Sequence, residues 1–157
     1  YFLDNIEGAL DNGIEVGIYF FSQAVTVEEA VEEAEQTVEW LRGYSGDITF
    51  PVVFDWERIS YSGSRTAELS AVTVTDCAIA FFDVIESAGY QPMAYVSPST
   101  ANEDIYVDRL TDYPMWLAHY TSDWAMSYYP YYYDMWQYTS GGSVPGIEGN
   151  VDLNVLM

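Results

Sequence analysis

The chain has 157 residues, with 25 acidic side chains against 4 basic ones, all of them Arg, and a formal net charge of −21. That balance argues against nucleic acid and anionic lipid as partners, since both are held by clustered Lys and Arg. Half of the residues are hydrophobic and 17% are aromatic, which excludes an acidic disordered tail and sets the expectation of one folded domain over residues 1–157.

In chain order, NIEGALDNG reads as a short helix stopped by Gly13, and GIEVGIYFF as a strand. TVEEAVEEAEQTVEWLRG follows, with Val27, Ala30, Val31, Ala34, Val38 and Leu41 at helical spacing. Thr26 and Glu29 form a capping-box pattern at its start, and Gly43 supplies a stop. FPVVFDW is a second strand. TVTDCAIAFFDVIESAG is a second long helix, with Val74, Ala78, Phe81, Ile85 and Ala88 on one stripe, Thr73 and Asp76 placed to cap it, and Gly89 to end it. PMAYVS, PMWLAHY and DMWQYT are further short apolar runs with little helix between the later ones. Strands alternating with helices are the signature of parallel βα units, so the order suits an α/β barrel with active residues at the carboxyl ends of its strands.

The sharpest local feature is PVVFDWE, Pro51 to Glu57. Residues i and i+2 of a strand share a face, about 6.5–7 Å apart, so Asp55 and Glu57 project together while Trp56 points away. Like charges at that distance resist joint ionisation and raise one pKa, which is what a proton donor near neutrality requires. Glycoside cleavage uses such a pair. The other reading of D-x-E is a solvated or metal-binding pair at a strand end. Tyr19, Tyr95, Trp116, Tyr120, Trp136 and Gln137 occupy corresponding places near the other strand ends. They are sugar-binding candidates, because apolar ring faces and hydroxyl rims suit aromatic platforms with nearby hydrogen-bond formers; each taken singly also fits core packing.

Three features have plainer readings. SYYPYYYDMW, Ser127 to Trp136, is either an exposed aromatic loop at a cleft rim or a connection whose rings cover the barrel flank. His119 is the single histidine and faces away from Trp116 and Tyr120 by alternation, so a histidine-based mechanism has little to stand on. Cys77 is the single cysteine, excludes an internal disulfide and reads as a core residue. The sequence has no Gly-rich phosphate loop and no His-rich metal cluster, so no cofactor is expected, and no apolar run approaches the roughly 18 residues of a membrane span.

Together these pieces resemble glycoside hydrolase family 25, the N-acetylmuramidase lysozymes of bacterial autolysins and phage endolysins. The matching stretches are NIEGALDNGIEVGIYFFSQA, VEWLRG, FPVVFDWE, AGYQPMAYVS, PMWLAHYT and DMWQYTSGGSVPGIEGNVDLN. The resemblance implies a TIM-like irregular barrel and hydrolysis of the β-1,4 bond between N-acetylmuramic acid and N-acetylglucosamine in peptidoglycan, at the cell wall or in a secreted or phage-released setting. It implies Glu57 as general acid/base, Asp55 as the carboxylate stabilising the intermediate, and Asp152 as a further acid of the cleft. It also implies a sugar groove along Tyr19, Tyr95, Trp116, Tyr120 and Gln137.

The chain departs from the family at its start, where members carry a strand with a D-x-S motif followed by a second strand. The expectation is therefore a barrel N-terminally incomplete by two strands, with open edges able to pair with another chain, and weak or no activity for the 157 residues alone. The alternatives left open are a non-catalytic glycan-binding barrel and an inactive fragment.

Overall fold

Helix α1 (Phe2–Asp11) buries Ile6 and hands over through Gly13, whose φ of 68° is the left-handed conformation that a side chain resists. Strand β1 (Val16–Phe21) follows, then helix α2 (Val27–Leu41). The α2 cap is close to the expected box: Thr26 Oγ1 accepts from the Glu29 N–H, and the Glu29 carboxylate reaches back to the N–H of Val25, one residue before the cap. Gly43 falls inside a short 3-10 turn, Arg42–Tyr44, that extends the helix. Strand β2 (Ile48–Asp55) and helix α3 (Ala71–Ser87) come next. The α3 cap is Ser70, which accepts from the Thr73 N–H, so the helix starts before the Thr73 and Asp76 pattern that the sequence suggested. Strand β3 (Pro92–Val96), helix α4 (Pro98–Glu103), a 3-10 turn at Val107–Arg109, and strands β4 (Met115–Ala118), β5 (Met135–Gly142) and β6 (Val151–Leu156) complete the order. The computed structural model describes residues 1–59, 61, 63–121 and 129–157.

The six strands form one sheet in sequence order, parallel from β1 to β5 and antiparallel between β5 and β6. It curls into half a barrel, with β1 and β6 as its two edges. Its convex side meets the helices. Val52, Phe54 and Trp56 of the β2 region pack there with Ala30, Ala34 and Leu41 of α2 and with Val74, Phe81, Phe82 and Ile85 of α3. Phe54 meets the rings of Phe81 and Phe82 at centroid distances of 5.4 and 6.2 Å. Cys77 is buried in this layer, and burial with nearby acids pushes its thiol up to about 11, so it stays protonated and inert.

The seam between β1 and β2 explains two residues that a regular strand disfavours. The register slips between Val16 and Ile18, and Pro51, which has no N–H to donate, lies opposite that irregularity. There the backbones come so close that a Cβ on Gly17 would stand 2.7 Å from Phe50 Cβ and 2.9 Å from the Pro51 carbonyl oxygen.

Candidate active site

Alternation along the strands sends the other half of the side chains to the concave side. Tyr19, Phe21, Asp55, Glu57, Tyr95, Trp116, Tyr120, Gln137 and Asp152 line a single cleft of about 340 Å³ there. Asp55 is the last residue of β2 and Glu57 lies just beyond the strand end, while Trp56 between them is buried on the helical side. The i, i+2 argument for the two acids therefore holds in three dimensions.

The two acids differ in setting. Asp55 is 8% exposed, and its Oδ1 is sealed from solvent with no hydrogen-bond partner. Burial, and then the charge of Glu57, raises its pKa from 3.8 to about 7. Glu57 is exposed at the cleft mouth. The pair is held by neighbours with no part in the cleft. Ser22 N–H donates to the Asp55 carbonyl oxygen at 2.7 Å, and Ser22 Oγ and the Gln23 N–H in turn donate to Glu33 of α2. On the other side Arg58 Nε donates to the buried Asp104 at 2.7 Å, and its other nitrogens donate to the carbonyl oxygens of Ala67 and Leu69. The guanidinium also sits 5.6 Å from the centre of the Trp56 ring.

The cleft wall is joined by hydrogen bonds across strands. Tyr95 and Tyr120 hydroxyls both donate to Gln137 Oε1, at 2.9 and 2.7 Å. Trp116 Nε1 donates to Asn154 Oδ1 at 2.9 Å, and its ring meets Tyr95 edge-on at 5.0 Å. Burial is the first cause that raises the Tyr95 phenol, followed by the nearby Tyr120, Glu57 and Asp55, so Tyr95 remains a donor. Among the described residues, no cluster of three or more His, Cys, Asp or Glu is arranged to hold a metal ion.

The profile of the glycosyl hydrolases family 25 matches residues 1–147. The chain belongs to glycosyl hydrolase family 25. Among its relatives is the protein YegX of Escherichia coli O157:H7, 28% identical over 162 aligned residues, which span 99% of this chain and 53% of YegX. The chain thus spans about half the length of that curated relative. The autolysin LytC of Streptococcus pneumoniae has a similar structure, with a TM-score of 0.83 at 28% identity over 96% of this chain and 36% of LytC. The same autolysin solved with a synthetic peptidoglycan ligand gives a TM-score of 0.83 at 27% identity, again over 96% of this chain and 36% of the other.

Within this family-25 fold the cleft gathers eight of the nine site candidates, and Trp136 is the exception. One residue before Gln137 on β5, it faces the opposite side of the sheet, where its indole N–H donates to the His119 carbonyl oxygen at 2.9 Å. Phe21 is a lining residue the sequence reading missed, although it stands two residues beyond Tyr19 on the same strand face. Asn154, two residues after Asp152, was likewise missed as the partner of Trp116. In the tyrosine-rich segment, Tyr129 is buried and packs with Tyr131 and Tyr133 at 5.5 and 6.2 Å, against the core rather than the cleft. That supports the flank-covering reading for Tyr129, Tyr131 and Tyr133, whereas Tyr132 between them is 75% exposed. Ser127 and Tyr128 lie outside the described residues.

Proposed function

We propose that this chain carries the catalytic face of a peptidoglycan hydrolase that cleaves the β-1,4 bond after N-acetylmuramic acid. In this reading Glu57 protonates the leaving glycosidic oxygen and afterwards accepts a proton from the attacking water. Asp55 supports the positive charge that develops at the anomeric carbon, and Asp152 adds a third acid at the cleft. The observation that carries the proposal is the concave cleft itself. It combines one buried acid, one exposed acid two residues on, and Tyr19, Tyr95, Trp116 and Tyr120 as faces for sugar rings.

The different exposures suit different tasks. Glu57, at the mouth, can exchange its proton with water between turnovers. Asp55, beneath it, lies where a charge acts through less solvent. In the open cleft burial, and then the charge of Glu57, favours a proton on Asp55. The proposed roles need that proton on Glu57 in the reacting complex. Support also comes from family membership and from the LytC structure with its peptidoglycan ligand. The wall lies outside the bacterial membrane, so the site of action we propose is extracellular or lysis-released.

Glu57→Gln separates hydrolysis from mere binding. Clearing of a cell-wall suspension should fall by roughly 10²–10⁴-fold while sedimentation with the wall persists. Equal clearing by the two proteins would contradict the assignment of Glu57, and binding by both without any clearing would favour a glycan-binding barrel.

A further inference from the structure

Among the described residues, the carboxyl of Glu57 has no hydrogen bond and no ion pair. The pairing of β2 ends at Asp55, opposite Phe21 on β1 and Tyr95 on β3, so the strand ladder stops short of Glu57 as well. Its place at the cleft mouth is therefore set through the backbone by the residues on either side.

Both of those residues are anchored on the helical side of the sheet. Trp56 is 2% exposed and packs in the core with α2 and α3. Arg58 brings its guanidinium to 5.6 Å from the centre of the Trp56 ring, so the alternation of β2 continues past the strand end. Arg58 Nε donates to Asp104 Oδ1 at 2.7 Å, Nη1 to the carbonyl oxygen of Ala67, and Nη2 to that of Leu69 at 3.1 Å. Asp104 is 6% exposed and is the C-cap residue of α4, the helix that follows β3. Ala67 and Leu69 lie just before Ser70, the N-cap of α3. One guanidinium thus joins the end of β2 to the start of α3 and the end of α4. The other three arginines pair with far more exposed acids, Arg42 with Glu39, Arg65 with Glu29 and Arg109 with Asp76.

We infer that Arg58 is a positioning residue for the proton-transfer step: with Trp56 it clamps the backbone on both sides of Glu57 and so holds an otherwise untethered carboxyl at the cleft mouth. This role rests on the glycan-cleaving reading and extends it to a residue that does not line the cleft. A carboxyl without bonds of its own keeps both oxygens available for the proton it gives and later takes back. Its distance from the glycosidic oxygen then depends on the backbone alone, and a displacement of about 1 Å is enough to slow a reaction by about 10²-fold. Only a guanidinium has the planar fork that spans a carboxylate and two carbonyl groups at once.

The leaving group separates placement of the acid from a general loss of structure. Aryl β-glycosides of the N-acetylglucosaminyl-N-acetylmuramic acid disaccharide are made with phenol, a poor leaving group that needs the proton, and with dinitrophenol, which departs without it. On both, kcat/KM is measured for the 157-residue chain, because it excludes the later attack of water on the intermediate. Arg58→Lys should lower kcat/KM on the phenyl glycoside by about 10–100-fold and on the dinitrophenyl glycoside by less than about threefold. In a Glu57→Gln background the same change should have no further effect on the phenyl glycoside, since no acid is left to place. Melting temperatures check folding, and the pair Arg58→Met with Asp104→Asn, which removes both buried charges together, replaces the lysine variant if that one does not fold. Equal losses on the two glycosides, or no loss, overturn the role of Arg58 and leave the hydrolase reading standing. A wild type that cleaves neither glycoside, or only the dinitrophenyl one, overturns the acid role of Glu57 on which that of Arg58 depends.

Discussion

A carboxyl held near pKa 7 in the native state is a stability cost as well as a chemical asset. The unfolded Asp55 titrates near 3.8 and the native one near 7, so between those values the native state binds more protons than the unfolded state. Stability from this group is therefore greatest below about pH 4, falls as pH rises toward 7, and stays low above that. Three pKa units correspond to roughly 4 kcal/mol, of which about 2–3 is expected after allowance for solvent at the open cleft. Asp55→Asn cannot ionise and should be more stable than the wild type by that amount near pH 8, with the difference shrinking toward zero near pH 4. Urea denaturation across that range is the measurement. A constant difference at all pH values would mean that Asp55 is not the buried titrating group.

Elements, rather than single residues, hold the cleft in shape, and two junctions can be tested. Removing Arg58 leaves the buried carboxylate of Asp104 unpaired and two carbonyl groups without a donor, so Arg58→Ala should cost about 3 kcal/mol in denaturation experiments. Arg58→Lys should recover only part of that, because an ammonium cannot reach the spread of acceptors that the guanidinium fork spans. At the β1–β2 seam, Gly17→Ala forces a methyl against Phe50 and the Pro51 carbonyl and should lower stability by about 1–3 kcal/mol. An unchanged melting temperature for Gly17→Ala would show that the seam can relax.

Legibility also varied element by element. Strands β1 to β5 were readable as short apolar runs between Gly and Pro joints, and α2 and α3 because their stripes keep a helical period. Strand β6 carried no such signal. VDLNVL mixes Asp and Asn into an edge strand exposed along most of its length, and the strand forms because β5 pairs with it. Helix α4 did carry a local signal that went unread: Ser97 caps it and Pro98 fills its first turn. At the site, alternation brought out Asp55 with Glu57 and set Trp56 apart. The same rule, applied to Trp136 and Gln137, admits only one of two neighbours to the cleft. The convergence of Tyr95 and Tyr120 on one amide oxygen lay beyond the sequence, since it joins three strand ends distant along the chain.

At the scale of the whole molecule, 21 net negative charges repel one another and little basic charge offsets them. Salt screens that repulsion, so the melting temperature should rise between about 0.02 and 0.5 M sodium chloride; a fall would mean that the few Arg ion pairs outweigh the general repulsion. The same charge works against long-range attraction to anionic wall polymers, so under the proposed function affinity for the wall comes from short-range contacts such as the aromatic wall of the cleft or from attached modules. The edge strand β1 borders an apolar groove of about 580 Å³ lined by Phe2, Ile6, Ile18, Phe20 and Trp40 among others. Edges of that kind are normally covered. We propose that the 157 residues act as a partial catalytic domain whose turnover alone is slow. The central claim is the identity of the bond broken. Purified peptidoglycan is incubated with the chain, reduced with borohydride and hydrolysed, and the new reducing-end sugar is identified. The account predicts slow formation of reduced muramic acid that disappears in Glu57→Gln. Reduced glucosamine, new peptide amino groups, or no new ends at all would contradict it.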